Sequence, residues 1–135
     1  MLLASACGAD PSVEHRQYLS AALGQCRESN PDITSVVRDD RQTLLVGGNG
    51  PYQTMSDIPE RRKLVEQASS CLLTSLEAPD SLVALVHSTT RQDGLRTAEW
   101  SRFRLVWGDS PARGLEMAIG RRGVPLNVTI DYPYP

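Results

Sequence analysis

Residues 99–108 read Glu-Trp-Ser-Arg-Phe-Arg-Leu-Val-Trp-Gly, a stretch in which apolar and polar side chains alternate. A period of two is typical of a β-strand with one buried face. The spacing places Phe103, Leu105 and Trp107 on the face that turns toward the core. The opposite face then carries three outward-pointing side chains, Trp100, Arg102 and Arg104.

The segments next to this stretch predict further strands. Residues 82–90 are predicted to form a strand with apolar residues on both faces near its start, and apolar residues alternate again over 115–119 and 124–132. Consecutive strands joined by short turns form an antiparallel meander. The second half of the chain is therefore predicted to be a four-stranded meander.

Two amphipathic helices are predicted upstream of the meander. The first begins near Ser12 and ends before Asn30-Pro31, and the second begins at Asp57, with Pro59 at its first turn. The apolar residues of the first helix recur at three- and four-residue spacing; they are Tyr18, Leu19, Ala22, Leu23 and Cys26. The apolar stripe of the second helix consists of Leu64, Ala68, Cys71, Leu72 and Leu76.

A short hairpin is predicted between the helices, with strands at 34–38 and 42–46. The order of elements is then helix, hairpin, helix and four-stranded meander. It predicts an α+β fold in which two helices pack on one face of a curved antiparallel sheet.

The size of the chain indicates one domain. It has 135 residues, of which 40% are hydrophobic, and no internal repeat or low-complexity linker divides it. We expect a single α+β domain over 11–135, preceded by a short segment at 1–10. The sequence contains no apolar run of about 18 residues, which is the length that would predict a membrane span.

The charge of the chain argues against a nucleic-acid partner. The sequence contains fourteen basic and sixteen acidic residues, and the net charge is -2. The distribution is uneven, since residues 91–122 carry seven arginines and four acidic residues. The C-terminal third is therefore predicted to present a locally basic surface.

Motifs for catalysis or metal binding are not found in the sequence. His15 and His87 are the only histidines, and neither has a cysteine or acid at ligand spacing, so each is expected to be a surface or half-buried side chain. The sequence contains neither a G-x-S-x-G nor an H-E-x-x-H pattern. We therefore expect a protein that is not an enzyme and holds no metal or cofactor; an enzyme with a site built from scattered residues is the less favoured alternative.

The first residues, Leu2-Leu3-Ala4-Ser5-Ala6-Cys7-Gly8, form an apolar run, then small residues, then a cysteine. This pattern resembles the lipobox of bacterial lipoproteins, although Ala4 stands where leucine is usual. The resemblance implies that Cys7 is acylated and anchors the chain outside the cytoplasm, attached to the membrane through lipid alone. Only six residues precede Cys7, so Met1 lies inside a longer leader or the leader has been trimmed; a chance match would leave Cys7 a free thiol.

Lipidation of Cys7 would leave an even pair of cysteines, Cys26 and Cys71. Both lie on the apolar sides of the predicted helices, so an oxidising compartment would allow a disulfide between them. In a cytoplasmic chain they would instead be two buried thiols.

An outward Trp100 beside Arg102 and Arg104 has the composition of an interface anchor, which Arg121 and Arg122 would extend. The alternative is an ordinary solvated sheet face, with the tryptophan under arginine stems. The favoured function is a lipid-anchored exported domain that binds a partner protein or ligand at the cell envelope. An immunity or inhibitor protein against a toxin or enzyme at that surface is the alternative.

Overall fold

A computed structural model of the chain describes residues 11–40, 42–47, 58–110, 114–124 and 126. Within these residues the chain forms three α-helices and five β-strands. The helices are α1 (Pro11–Ser29), α2 (Ile58–Ser75) and α3 (Asp80–Ser88), and the strands are β1 (Val37–Asp40), β2 (Thr43–Val46), β3 (Arg96–Trp100), β4 (Phe103–Ser110) and β5 (Gly114–Arg121). Short 3-10 helices lie at Pro31–Ser35 and Arg91–Asp93.

The strands form one antiparallel sheet in the order β1-β2-β5-β4-β3. The prediction of an α+β fold with an antiparallel sheet is confirmed. The predicted arrangement is wrong in detail, because the described residues contain three helices and five strands rather than two helices, a hairpin and four strands.

Three contacts place the helices on one face of the sheet. Trp100 donates a hydrogen bond to the carbonyl of Leu76, just after α2, and Trp107 donates one to Thr89, just after α3. The Phe103 ring packs against the His15 ring of α1. Because these three aromatic side chains share one face, the core lies between that face and the helices.

The amphipathic patterns of α1 and α2 are confirmed, except that Tyr18 of the α1 stripe is exposed. Asn30 follows the last residue of α1, and its side-chain oxygen accepts a hydrogen bond from the backbone N–H of Asp32, which caps the first 3-10 helix. That 3-10 helix takes up residues predicted as strand, so β1 begins only at Val37 and the hairpin is shorter than expected.

The predicted strand at 82–90 is wrong, because most of it is helix α3. Leu82 and Val86 are four residues apart and both are buried, which is the spacing of one helix face. Pro79 precedes the helix and Asp80 lies in its first turn. Aliphatic composition alone favoured a strand, whereas packing against α2 selects the helix.

The single strand predicted at 99–108 is also wrong. The chain turns at Ser101 and Arg102, so the stretch divides between β3 and β4. Ser101 adopts φ of 51°, in the left-handed region that favours glycine. The turn brings Trp100 opposite Phe103 across the hairpin.

Three expectations concern residues that the structure does not describe. They are the segment at 1–10, its lipidation site Cys7 and most of the last predicted strand, 124–132.

Candidate functional site

Trp100 is a core residue, not the exposed anchor that the alternation predicts. Its side chain is 6% exposed, its ring lies 5.4 Å from that of Phe103, and its Nε1 donates to the Leu76 carbonyl at 2.9 Å. Residues directly opposite in an antiparallel pair share a face. Because the turn pairs Trp100 with Phe103, both side chains point inward, and the predicted surface loses its tryptophan.

Arg102 is exposed, as predicted, at the tip of the β3–β4 turn. Its guanidinium pairs with the Glu14 carboxylate on α1 and lies 4.3 Å from the centre of the Tyr18 ring. Tyr18 is 43% exposed and packs edge-on against Phe103. A planar cation over an aromatic face is a favourable contact that also orders both side chains.

Arg122 lies beside the same turn. It donates to the Ser101 carbonyl at 3.1 Å, and its Nε lies 3.6 Å from the Glu99 carboxylate. The structure therefore brings Arg102 and Arg122 to one end of the hairpin, each paired with a carboxylate.

Arg104 and Arg121 do not join them as a continuous outer patch. Arg104 is opposite Glu99 and Gly120, on the face of the sheet that turns away from the helices. Arg121 is opposite Phe103 and so lies on the helix-facing side, half-buried. The five predicted partner-binding residues therefore divide among the core, the turn and both faces of the sheet.

A cleft of about 230 Å³ opens beside Tyr18 and Arg102, between α1, the turn after α2 and the β3–β4 turn. We call this the Tyr18–Arg102 surface; its other polar lining residues are Gln25, Ser75, Glu77 and Ser101.

Backbone strain is concentrated at this cleft. Glu77 has φ of 64° and Ser101 has φ of 51°, and these are the positive-φ residues other than glycine in the described part of the chain. Such conformations cost roughly 1–3 kcal/mol each and cluster at functional sites. Both residues line the cleft, which makes it the favoured candidate site.

The disulfide supports two walls of the cleft. Cys26 of α1 and Cys71 of α2 are bonded, with their Cα atoms 5.9 Å apart, as the sequence predicted. The Ser75 hydroxyl, on the lining, lies 3.6 Å from the Cys26 Sγ. The bridge therefore holds α1 and α2 together next to the site.

His15 lies beneath the surface, where the sequence predicted a surface or half-buried histidine. It is 2% exposed, its Nε2 donates to the Gln42 carbonyl at 2.8 Å, and its ring lies 5.7 Å from that of Phe103. Burial lowers the pKa of His15 below its ordinary value of 6.5, against the opposing effect of the Gln42 hydrogen bond, and the nearby Arg121 and Arg102 charges lower it further. His15 is therefore neutral at pH 7.

A second cleft, of about 270 Å³, lies at the other end of the helices and includes Arg62, Glu66 and exposed His87. No three His, Cys, Asp or Glu side chains within the described ranges are placed to hold a metal ion. Its polar lining includes both basic and acidic side chains.

Tyr18 is the site residue that sequence reasoning missed. Its spacing in α1 matches the apolar stripe, so the pattern assigned it to the core together with Leu19. Tyr18 contacts Arg102, and Arg102 also pairs with Glu14, which lies 88 residues earlier in the chain. No local pattern predicts a contact over that separation.

Comparison with protein-family models, with curated proteins and with solved structures finds no match to this chain. In the part of the chain that the structure describes, no helix is long and apolar enough to cross a bilayer.

Proposed function

We propose that this chain is a non-catalytic binding module that captures a partner protein at the cell envelope through the Tyr18–Arg102 surface. In this proposal Cys7 carries the lipid that attaches the module to the extracytoplasmic side of the membrane. The observation that carries the proposal is the exposed Tyr18 ring under Arg102, at the mouth of a cleft bordered by two strained residues.

The chemistry of this surface suits a protein interface. Tyrosine and arginine are the side chains, with tryptophan, that most often dominate binding energy at interfaces. Here both are ordered before a partner arrives, because Glu14 holds Arg102 and Phe103 supports Tyr18. Binding then costs less side-chain entropy than it would with mobile side chains.

The disulfide supports the extracytoplasmic part of the proposal. Structural disulfides persist in oxidising compartments and are rare in the cytosol. Cys26 and Cys71 are bonded in the structure, and their pairing leaves Cys7 as the third cysteine of the sequence. Acylation of Cys7, as the lipobox-like run implies, would leave no free thiol in an oxidising setting.

Partner capture with surface variants tests the binding role. The immobilised domain is incubated with envelope extract from its native host, and captured proteins are identified by mass spectrometry. Tyr18→Ala should weaken capture of the specific partner by about 2 kcal/mol, or roughly thirtyfold, and Arg102→Glu should abolish it. Arg38→Glu is the matched control, because Arg38 is exposed on β1, at the opposite edge of the sheet.

Capture that is equal in all four proteins would refute the assignment of the surface. A partner that is a single toxin or hydrolase, inhibited on capture, would instead make the module an immunity or inhibitor protein that uses the same surface.

The mass of the protein tests the lipid anchor. The protein, expressed in its native host with its upstream sequence, should lack everything before Cys7 and carry acyl chains. An unmodified mass for Met1 to Pro135 would refute the anchor and leave the binding role to be judged by capture alone.

A further inference from the structure

The hydrogen bond of buried His15 identifies which of its ring nitrogens carries the proton. The Gln42 backbone carbonyl can only accept a hydrogen bond, so Nε2 carries the ring proton. The other nitrogen, Nδ1, is buried and has no hydrogen-bond partner among the residues that the structure describes. A second proton on Nδ1 would therefore place a buried N–H opposite no acceptor, which is unfavourable.

The charges around His15 also oppose its protonation. Arg102 at the β3–β4 turn and Arg121 at the end of β5 both act on the ring as positive charges. Glu14, the neighbouring carboxylate on α1, is paired with Arg102. The Gln42 carbonyl in the β1–β2 turn acts in the opposite sense, because the hydrogen bond that it accepts from His15 raises the pKa, but burial outweighs it.

Phe103 connects His15 to the Tyr18–Arg102 surface. Its ring lies 5.7 Å from the His15 ring on one side and 6.3 Å from the Tyr18 ring on the other. Tyr18 in turn lies under Arg102. Phe103 also packs against Trp100, 5.4 Å away. A movement of His15 away from Phe103 would leave one contact of the Phe103 ring unfilled, so that the ring shifts relative to Tyr18.

We propose that protonation of His15 is an acid switch that disorganises the Tyr18–Arg102 surface and releases its partner. The Nδ1–H of the imidazolium would be buried with no acceptor among the described residues and would be repelled by the charges of Arg102 and Arg121, so the ring leaves its place against Phe103 and exchanges the Gln42 carbonyl for water. This inference rests on the proposed function for its biological meaning. The structural coupling itself needs no partner.

A pH titration of the full chain by NMR tests the coupling. The ring signals of His15 and Tyr18 are followed from pH 7.5 to pH 4.5, a range chosen to bracket the ordinary histidine pKa of about 6.5. The Tyr18 signals should shift with the same midpoint as His15, below pH 6.5. In His15→Gln, which keeps a neutral donor for the Gln42 carbonyl, the Tyr18 shift should disappear.

His87→Gln is the control, because His87 is exposed and lies in the other cleft. It should leave the Tyr18 titration unchanged. Tyr18 signals that ignore the His15 midpoint, or that titrate equally in His15→Gln, would overturn the switch. If His15→Gln fails to fold, the wild-type midpoints decide the question by themselves.

The two proposals fail separately. Loss of the Tyr18 titration leaves partner capture at neutral pH intact, whereas a failure of capture leaves the NMR coupling in place. If both hold, partner affinity should fall at least tenfold between pH 7 and pH 5 in the wild type and stay nearly constant in His15→Gln.

Discussion

Reduction of the Cys26–Cys71 bridge should remove a large part of the stability of this domain. The bridge closes a loop with a sequence separation of 45 residues. In the chain-entropy account, opening a loop of this length stabilises the unfolded state by about 4 kcal/mol at 25 °C. A domain with a total stability of roughly 5–15 kcal/mol would then be close to unfolding.

Urea unfolding measures this effect. Trp100 and Trp107 are both buried, so their fluorescence reports the loss of the core. The reduced wild type should have a lower free energy of unfolding, by up to about 4 kcal/mol, and a steeper dependence on urea because its unfolded chain is more expanded.

Two variants separate the bridge from general effects of the reductant. Cys26→Ala with Cys71→Ala should be destabilised and should no longer respond to reductant, whereas Cys7→Ser should respond as the wild type does. A reduced wild type within about 1 kcal/mol of the oxidised protein would refute the entropic argument. Free thiols at both positions, in protein made in an oxidising compartment, would refute the bridge and weaken the proposed location.

Three further predictions follow from the packing. Trp100→Ala should cost about 3–5 kcal/mol in urea unfolding, as expected for a buried indole, and a cost below about 1 kcal/mol would restore the exposed assignment. Gly47→Ala should destabilise the protein more than Gly94→Ala in thermal unfolding. Both glycines have positive φ, of 75° and 72°, but a Cβ would collide with the Leu115 carbonyl only at Gly47. Equal losses of stability in the two variants would exclude the collision. Stability should fall as pH drops below about 6.5, by at most about 1.4 kcal/mol per pH unit, because the unfolded chain binds a proton that folded His15 does not; a curve unchanged in His15→Gln would contradict this.

Patterns between near neighbours in the sequence are sufficient for much of the fold. The apolar repeats of α1 and α2, the hairpin between them and the inward faces of Phe103 and Leu105 follow from periods of 3.6 and two. The same repeats place Cys26 and Cys71 on the apolar sides of their helices, and the expected oxidising compartment then predicts the bridge that the structure contains. These features can be predicted locally, because an element with one apolar face buries that face whichever part of the chain packs against it.

Contacts between distant residues decide the rest. Ser101 gives no sequence signal of a turn with positive φ, and the alternation continues through it; pairing of β3 with β4, which buries Trp100 against Phe103, imposes the turn. The candidate site depends on that turn, since it carries Arg102 to Tyr18 and Glu14 on α1. A period of two or 3.6 reports which side of an element is apolar, but the contacts that such an element makes with residues 88 positions away are selected only when the whole core packs.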